Sequence, residues 1–137
     1  NNLEDRKAMK EFGQNFGMAF QIKDDLFDLL ARESDIGKDV AHDVKKSMIT
    51  LPYIHSFHTL QKSDQKRMNT IIRTKKKTPQ IIRELRNLIE KGGGFDYARN
   101  KIEDFSNNAM MAIKTYEDSS YKKSMVDLLV FNAHRTK

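Results

Sequence analysis

The chain has 137 residues, 38% of them hydrophobic and 32% charged, with a formal net charge of +6 and a pI of about 9.5. That length bounds it at one domain or part of one, and no apolar run approaches the roughly 20 residues that span a bilayer. With no cysteine present, disulfides, thiolate zinc sites and cysteine nucleophiles are excluded.

A basic balance suits nucleic acid, an anionic membrane surface or a polyanionic small substrate. The positive charge is spread along the chain, and the tightest run is Lys75-Lys76-Lys77 beside Arg73. No aromatic residue is interleaved with it, which favours a solvated inter-helix loop over a nucleic-acid patch. No nucleic-acid partner is expected. The opening Asn1-Asn2-Leu3-Glu4-Asp5 is neither a signal peptide nor a natural initiator, so the expectation is a cytoplasmic chain truncated at its N-terminus.

From about Leu3 to Ala31 the residues Met9, Phe12, Phe16, Phe20, Phe27 and Leu30 follow a helical period. Gly13 and Gly17 lower helix propensity there, but would let a neighbouring helix or a ligand come close. Apolar residues on more than one side predict a helix central in a bundle. The polar segment Arg32 to Lys46, broken by Gly37, reads as a loop. Thr50 and Pro52 open a second helix that runs to about Leu60, with Thr50 as cap. Ser63 is expected to cap a short helix ending near Arg73, and Thr78-Pro79 repeats the cap-and-proline start. The latter helix has Ile81, Ile82, Leu85, Leu88 and Ile89 on one face and stops at Gly92-Gly93-Gly94, with Gly92 as the left-handed cap. A helix from Phe95 to about Tyr116 follows, and Ser119 or Ser120 caps a last one carrying Met125, Leu128, Leu129 and Phe131. Tyr97, Tyr116 and Tyr121 read as packing residues. No stretch alternates with period two, so the fold class is all-α with about six helices.

One stretch carries chemistry. Asp24, Asp25 and Asp28 fall at i, i+1 and i+4 on the first helix; Asp24 and Asp28 lie one turn apart on the same face, with Gln21 one turn earlier. Carboxylates at that spacing repel unless water solvates them or a cation bridges them. A solvated acidic patch is the plain alternative, and the apolar flanks on both sides speak against it. Hard oxygen ligands with few other donors suit magnesium, which keeps several waters and is shared with substrate phosphates. His55 and His58 lie at i, i+3, but no carboxylate follows at matching spacing, so surface or interface histidines are the better reading. His42 and Asp43 lie in the loop near Lys38.

The run Gly17-Met18-Ala19-Phe20-Gln21-Ile22-Lys23-Asp24-Asp25-Leu26-Phe27-Asp28, then Ile36-Gly37-Lys38-Asp39, then Thr50-Leu51-Pro52, resembles the second aspartate-rich region of trans-isoprenyl diphosphate synthases (polyprenyl synthetases). The Thr-Leu-Pro ending is most similar to long-chain members such as octaprenyl diphosphate synthases. Residues 1–137 resemble the C-terminal portion of one such domain, the C-terminal part of the isoprenoid synthase helical bundle. The resemblance implies a Mg2+-dependent prenyltransferase that ionises an allylic diphosphate and adds the cation to isopentenyl diphosphate. It implies a homodimer, and with it a peripheral membrane contact for product release. Asp24 would then be a direct magnesium ligand, with Asp25 and Asp28 supporting it. Lys38 would contact the departing diphosphate, and Phe20 and Gln21 would line the cavity.

Two departures qualify the resemblance. The family uses another DDxxD on an earlier helix, absent from this sequence, so condensation by this chain alone is not expected. Where the family commonly has Gly-Lys before Thr-Leu-Pro, this chain has Ser47-Met48-Ile49, with Lys45 and Lys46 just before; Ala41 stands for the glycine expected after Val40. These leave two rivals: a non-catalytic partner subunit of a heteromeric synthase, and a helical interaction module unrelated to isoprenoids.

Overall fold

The computed structural model of the chain describes residues 2–30, 49–75 and 78–136. They form six α-helices: α1 (Asn2–Leu30), α2 (Leu51–Thr59), α3 (Lys62–Arg73), α4 (Pro79–Lys91), α5 (Gly94–Ala112) and α6 (Ser120–His134). No strand occurs among the described residues, as the absence of period-two alternation predicts. Two compact units result, one of Asn1–Lys23 with Asn100–Lys137 and one of Asp24–Arg99.

In the second unit α2, α3 and α4 pack on one another. The amphipathic pattern of α4 buries Ile82, Leu85 and Ile89, and α3 buries Met68 and Ile71. The closest approach joins α2 to the turn between α4 and α5. Ser56 Oγ donates to the Ile89 carbonyl at 2.7 Å, and Thr59 Oγ1 donates to the Gly92 carbonyl at 2.7 Å. A Cβ on Gly92 would lie 2.5 Å from Ser56 Cβ, so this crossing requires glycine. Arg67 pairs with Glu84 through both carboxylate oxygens, and Lys91 with Asp64 at 2.7 Å. These exposed pairs tie α3 to α4 but contribute little each.

The cap of α4 is as expected, and three other cap expectations are corrected. Thr78 caps α4, its Oγ1 accepting from the Ile81 amide at 3.3 Å. Thr50 holds the cap position of α2 in extended backbone, but its side chain makes no cap bond. Its Oγ1 is buried without a hydrogen-bond partner among the described residues. The cap position of α3 is held by Gln61, two residues before Ser63, without a side-chain cap bond. The left-handed residue after α4 is Gly93 (φ 73°), while Gly92 has φ −82°. The sequence triplet offers three glycines, and the Ser56 contact claims Gly92 for close packing.

In the first unit, Phe12, Ala109, Ile113 and Leu129 form the buried cluster, with Phe16, Met125 and Val126 against it. Phe12, Phe16 and Phe20 make a ladder of rings along α1, successive centroids 6.0 Å apart. Ser119 caps α6 by accepting from the Lys122 amide at 3.2 Å. Tyr116 packs on the cluster, and its hydroxyl donates to Asp5 Oδ1 at 3.0 Å. Tyr121 does not pack: it is 83% exposed, because it lies at the open first turn of α6. Leu128 and Phe131 are also exposed, leaving Leu129 to face the cluster.

Candidate functional site

The aspartate-rich stretch lies wholly on α1, as its helical spacing predicts. Ala19, Ile22, Leu26 and Leu29 are its buried residues here, a stripe of alternating three- and four-residue steps. At about 100° per residue, Gln21, Asp24 and Asp28 fall on the opposite face, while Asp25 lies at the edge of the buried stripe, beside Leu29. Asp24 and Asp25 are half-buried, Gln21 and Asp28 exposed, and Phe20 half-buried. The expectation of a helix enclosed on several sides is not met among the described residues. One stripe is covered, while Met18 and Leu30 are exposed and a Cβ at Gly13 or Gly17 would meet nothing within 4 Å.

The electrostatics of α1 are lopsided. Glu4 and Asp5 occupy the first turn, where the helix dipole favours anions, but the last turn holds no basic residue. Asp28 lies in that last turn and Asp24 one turn before it. Anions at a helix C-terminus are disfavoured by about 0.3–1 kcal/mol each, and like charges at i, i+4 by a few tenths more. Among the described residues no group of three or more His, Cys, Asp or Glu side chains is placed to hold a metal ion by itself. The carboxylates of α1 are hard oxygen donors, the type that magnesium takes. That ion binds through one or two carboxylates plus substrate phosphates and keeps its remaining waters.

Lys38 lies outside the described residues, as do Ala41, His42, Asp43, Lys45, Lys46 and Met48. His55 stacks on the Tyr97 ring at 4.0 Å between centroids, a packing role.

A second constellation, which the sequence reading missed, joins α1 to the end of α6. Lys23 Nζ donates to the carbonyls of Asn132 at 2.6 Å and Ala133 at 2.5 Å. The Arg135 guanidinium lies 3.9 Å over the Phe20 ring centroid, and its Nη2 donates to the Phe20 carbonyl at 3.0 Å. Its Nε donates to Asn132 Oδ1 at 2.8 Å. Asn132 is fully buried, and its Nδ2 finds no partner among the described residues. Burial, then the neighbouring Arg135 cation, holds the Lys23 ammonium below the usual lysine range. The signal available in sequence was a basic residue closing α6, a common helix stop; nothing in it paired that residue with Phe20.

Residues 1–89 match the family model described as polyprenyl synthetase. The chain belongs to the polyprenyl synthetase family. Among its relatives in that family, a short chain isoprenyl diphosphate synthase of Methanocaldococcus jannaschii is 32% identical over 72% of this chain and 29% of its own length. An octaprenyl diphosphate synthase of Haemophilus influenzae is 27% identical over 94% of this chain and 39% of its own. The crystal structure of a geranylgeranyl pyrophosphate synthetase from Pyrococcus horikoshii superposes with a TM-score of 0.84 at 32% identity. It covers 98% of this chain and 41% of that one. This polyprenyl synthetase chain therefore spans less than half the length of the relatives it matches. Its helical architecture is that of a prenyl synthetase.

Proposed function

We propose that this chain supplies the second aspartate-rich helix of a prenyl diphosphate synthase that joins an allylic diphosphate to isopentenyl diphosphate. The observation that carries the reading is the placement of Asp24 and Asp28 on one polar face of α1, with Asp25 at its edge, within the residues that match the family.

Asp24 is assigned as a magnesium ligand, with Asp25 and Asp28 as further ligands or as acceptors for the ion's waters. Bound there with diphosphate, Mg2+ would supply Lewis-acid stabilisation of the charge developing on the leaving group. The half-burial of Asp24 and Asp25 removes competing solvent and strengthens their hold on a cation. Phe20 presents an aromatic face suited to a hydrocarbon chain or an allylic cation, and Gln21 an amide that can orient a substrate group. Lys38 is assigned to the diphosphate. One aspartate-rich helix is half of the family's arrangement, so condensation needs the other half from elsewhere. A homodimer acting in the cytoplasm is part of the proposal; sedimentation of the complete synthase tests the first.

The test is thermal melting of the chain with MgCl2, with inorganic pyrophosphate, and with both. A rise that needs both together, absent in Asp24→Ala, is expected from linkage of binding to folding. Melting unmoved by the pair sinks the reading and leaves a helical interaction module. Met48, an uncharged thioether where relatives of this type carry lysine, favours a second reading, a non-catalytic partner subunit. Met48→Lys in the complete synthase should raise activity if the charge is missing; no gain assigns its part to Lys45 or Lys46.

A further inference from the structure

We infer that Arg135 is a positioning residue: with Asn132 and Lys23 it clamps the last turn of α6 onto α1 and fixes the orientation of the Phe20 ring. Three contacts converge on one guanidinium. Its face covers the Phe20 ring at 3.9 Å, one arm reaches the Phe20 carbonyl at 3.0 Å, and its Nε reaches Asn132 Oδ1 at 2.8 Å. A planar, forked guanidinium stacks its face on a ring while its in-plane N–H groups donate sideways, a geometry the compact ammonium of lysine does not reproduce. The Asn132 side chain is fully buried, and the bond from Arg135 Nε fixes which end of its amide is oxygen.

Lys23 completes the clamp from the other helix. Its ammonium meets the carbonyls of Asn132 and Ala133, which lie at the negative end of α6, where a cation is favoured. Each helix thus contributes one cation to the other's backbone. Phe20 is the last rung of the Phe12–Phe16–Phe20 ladder. Phe12 is fixed by the buried cluster and Phe16 packs against it, whereas Phe20 takes its fixed partner from Arg135. Its ring sits one turn before Asp24, so the clamp sets the aromatic surface offered beside the carboxylates. That last consequence rests on the prenyl-site reading; the clamp itself does not.

The test follows ring motion by NMR in the 137-residue chain with 13C-labelled phenylalanine. In Arg135→Gln the Phe20 ring should flip roughly three- to tenfold faster, the change expected from losing a partly buried cation–π contact. Phe12 and Phe16 should keep their rates. Arg135→Lys, which leaves a cation over the ring, should return part of the restraint. An unchanged Phe20, or three rings that loosen together, overturns the inference, since the second outcome marks a merely structural residue. Should these variants fail to fold, the Arg135 Nε proton decides in the folded native chain. Ring current should shift it upfield, and Phe20→Leu should remove that shift; no shift overturns the inference. Neither readout involves metal or diphosphate. A chain that passes them but ignores magnesium with pyrophosphate overturns the prenyl-site reading and keeps the clamp.

Discussion

The C-terminal ends of α1 and α6 pose the same electrostatic problem and are treated in opposite ways. Both expose backbone carbonyls and the negative end of a helix dipole. At α6 the chain brings cations: Lys23 donates to the carbonyls of Asn132 and Ala133, and Arg135 follows immediately. At α1 it places carboxylates, Asp24, Asp25 and Asp28, with no basic residue in the last turn. The α6 end is thus met by donors from a second helix and from its own cap, whereas the last turns of α1 carry acidic side chains, the type of group a cation would bind.

The comparison can be broken or sharpened by removing charges one at a time. Lys23→Met takes both charge-assisted bonds from the α6 carbonyls, and should destabilise the chain by about 1–2 kcal/mol in chemical denaturation, discounted for partial exposure. No loss would mean that solvent serves the α6 end equally well. Arg135→Gln should cost about 1 kcal/mol and release Lys23 from a repulsive neighbour. Lys23 titrates lower in the folded chain than in the unfolded one, so the folded state binds fewer protons. Stability then rises as pH increases from that lowered value toward 10.5, and Arg135→Gln should flatten the rise. Titration of Lys23 by NMR reads it directly.

At the other end, Asp28→Asn should stabilise the metal-free chain by about 0.3–1 kcal/mol while weakening the joint magnesium and pyrophosphate response. A loss of stability instead would mean that the α1 carboxylates are structural. The smallest effect serves as a surface baseline. A hydrogen bond from Arg67, aided by its charge, holds the Glu84 carboxyl below the usual carboxylate range. Its contribution is present above about pH 4.5 and lost as pH falls through the lowered value. Arg67→Gln should erase that acid-dependent part alone, as followed by melting between pH 3 and 6, roughly the carboxylate range.

Much of the helical plan was legible because the signals are local. The Thr78-Pro79 start and the glycine stop of α4, the Ser119 cap and the periodicity of α1 each depend on residues within a few positions. The misreadings occurred where a distant contact decided between adjacent candidates. Gly92 and Gly93 are equivalent in sequence, and only the approach of Ser56 makes Gly92 the packed one and Gly93 the left-handed one. Tyr121 looked like a packing residue by composition, but its place at the first turn of α6 leaves it in solvent. The candidate site was legible in part. Asp24, Asp25 and Asp28 announce themselves by spacing, and the polar face shared by Asp24 and Asp28 follows from helix geometry. Arg135 did not, because its partner Phe20 lies 115 residues away.

The sequence by itself determined the all-helical class, the register of the acidic face and the family, since each is written in spacings of three, four or ten residues. Tertiary structure alone decided which face of α1 is covered, which glycines are packed and what holds Phe20. Those outcomes depend on which distant backbone carbonyl or ring arrives within a few ångströms, and local periodicity carries no information about that.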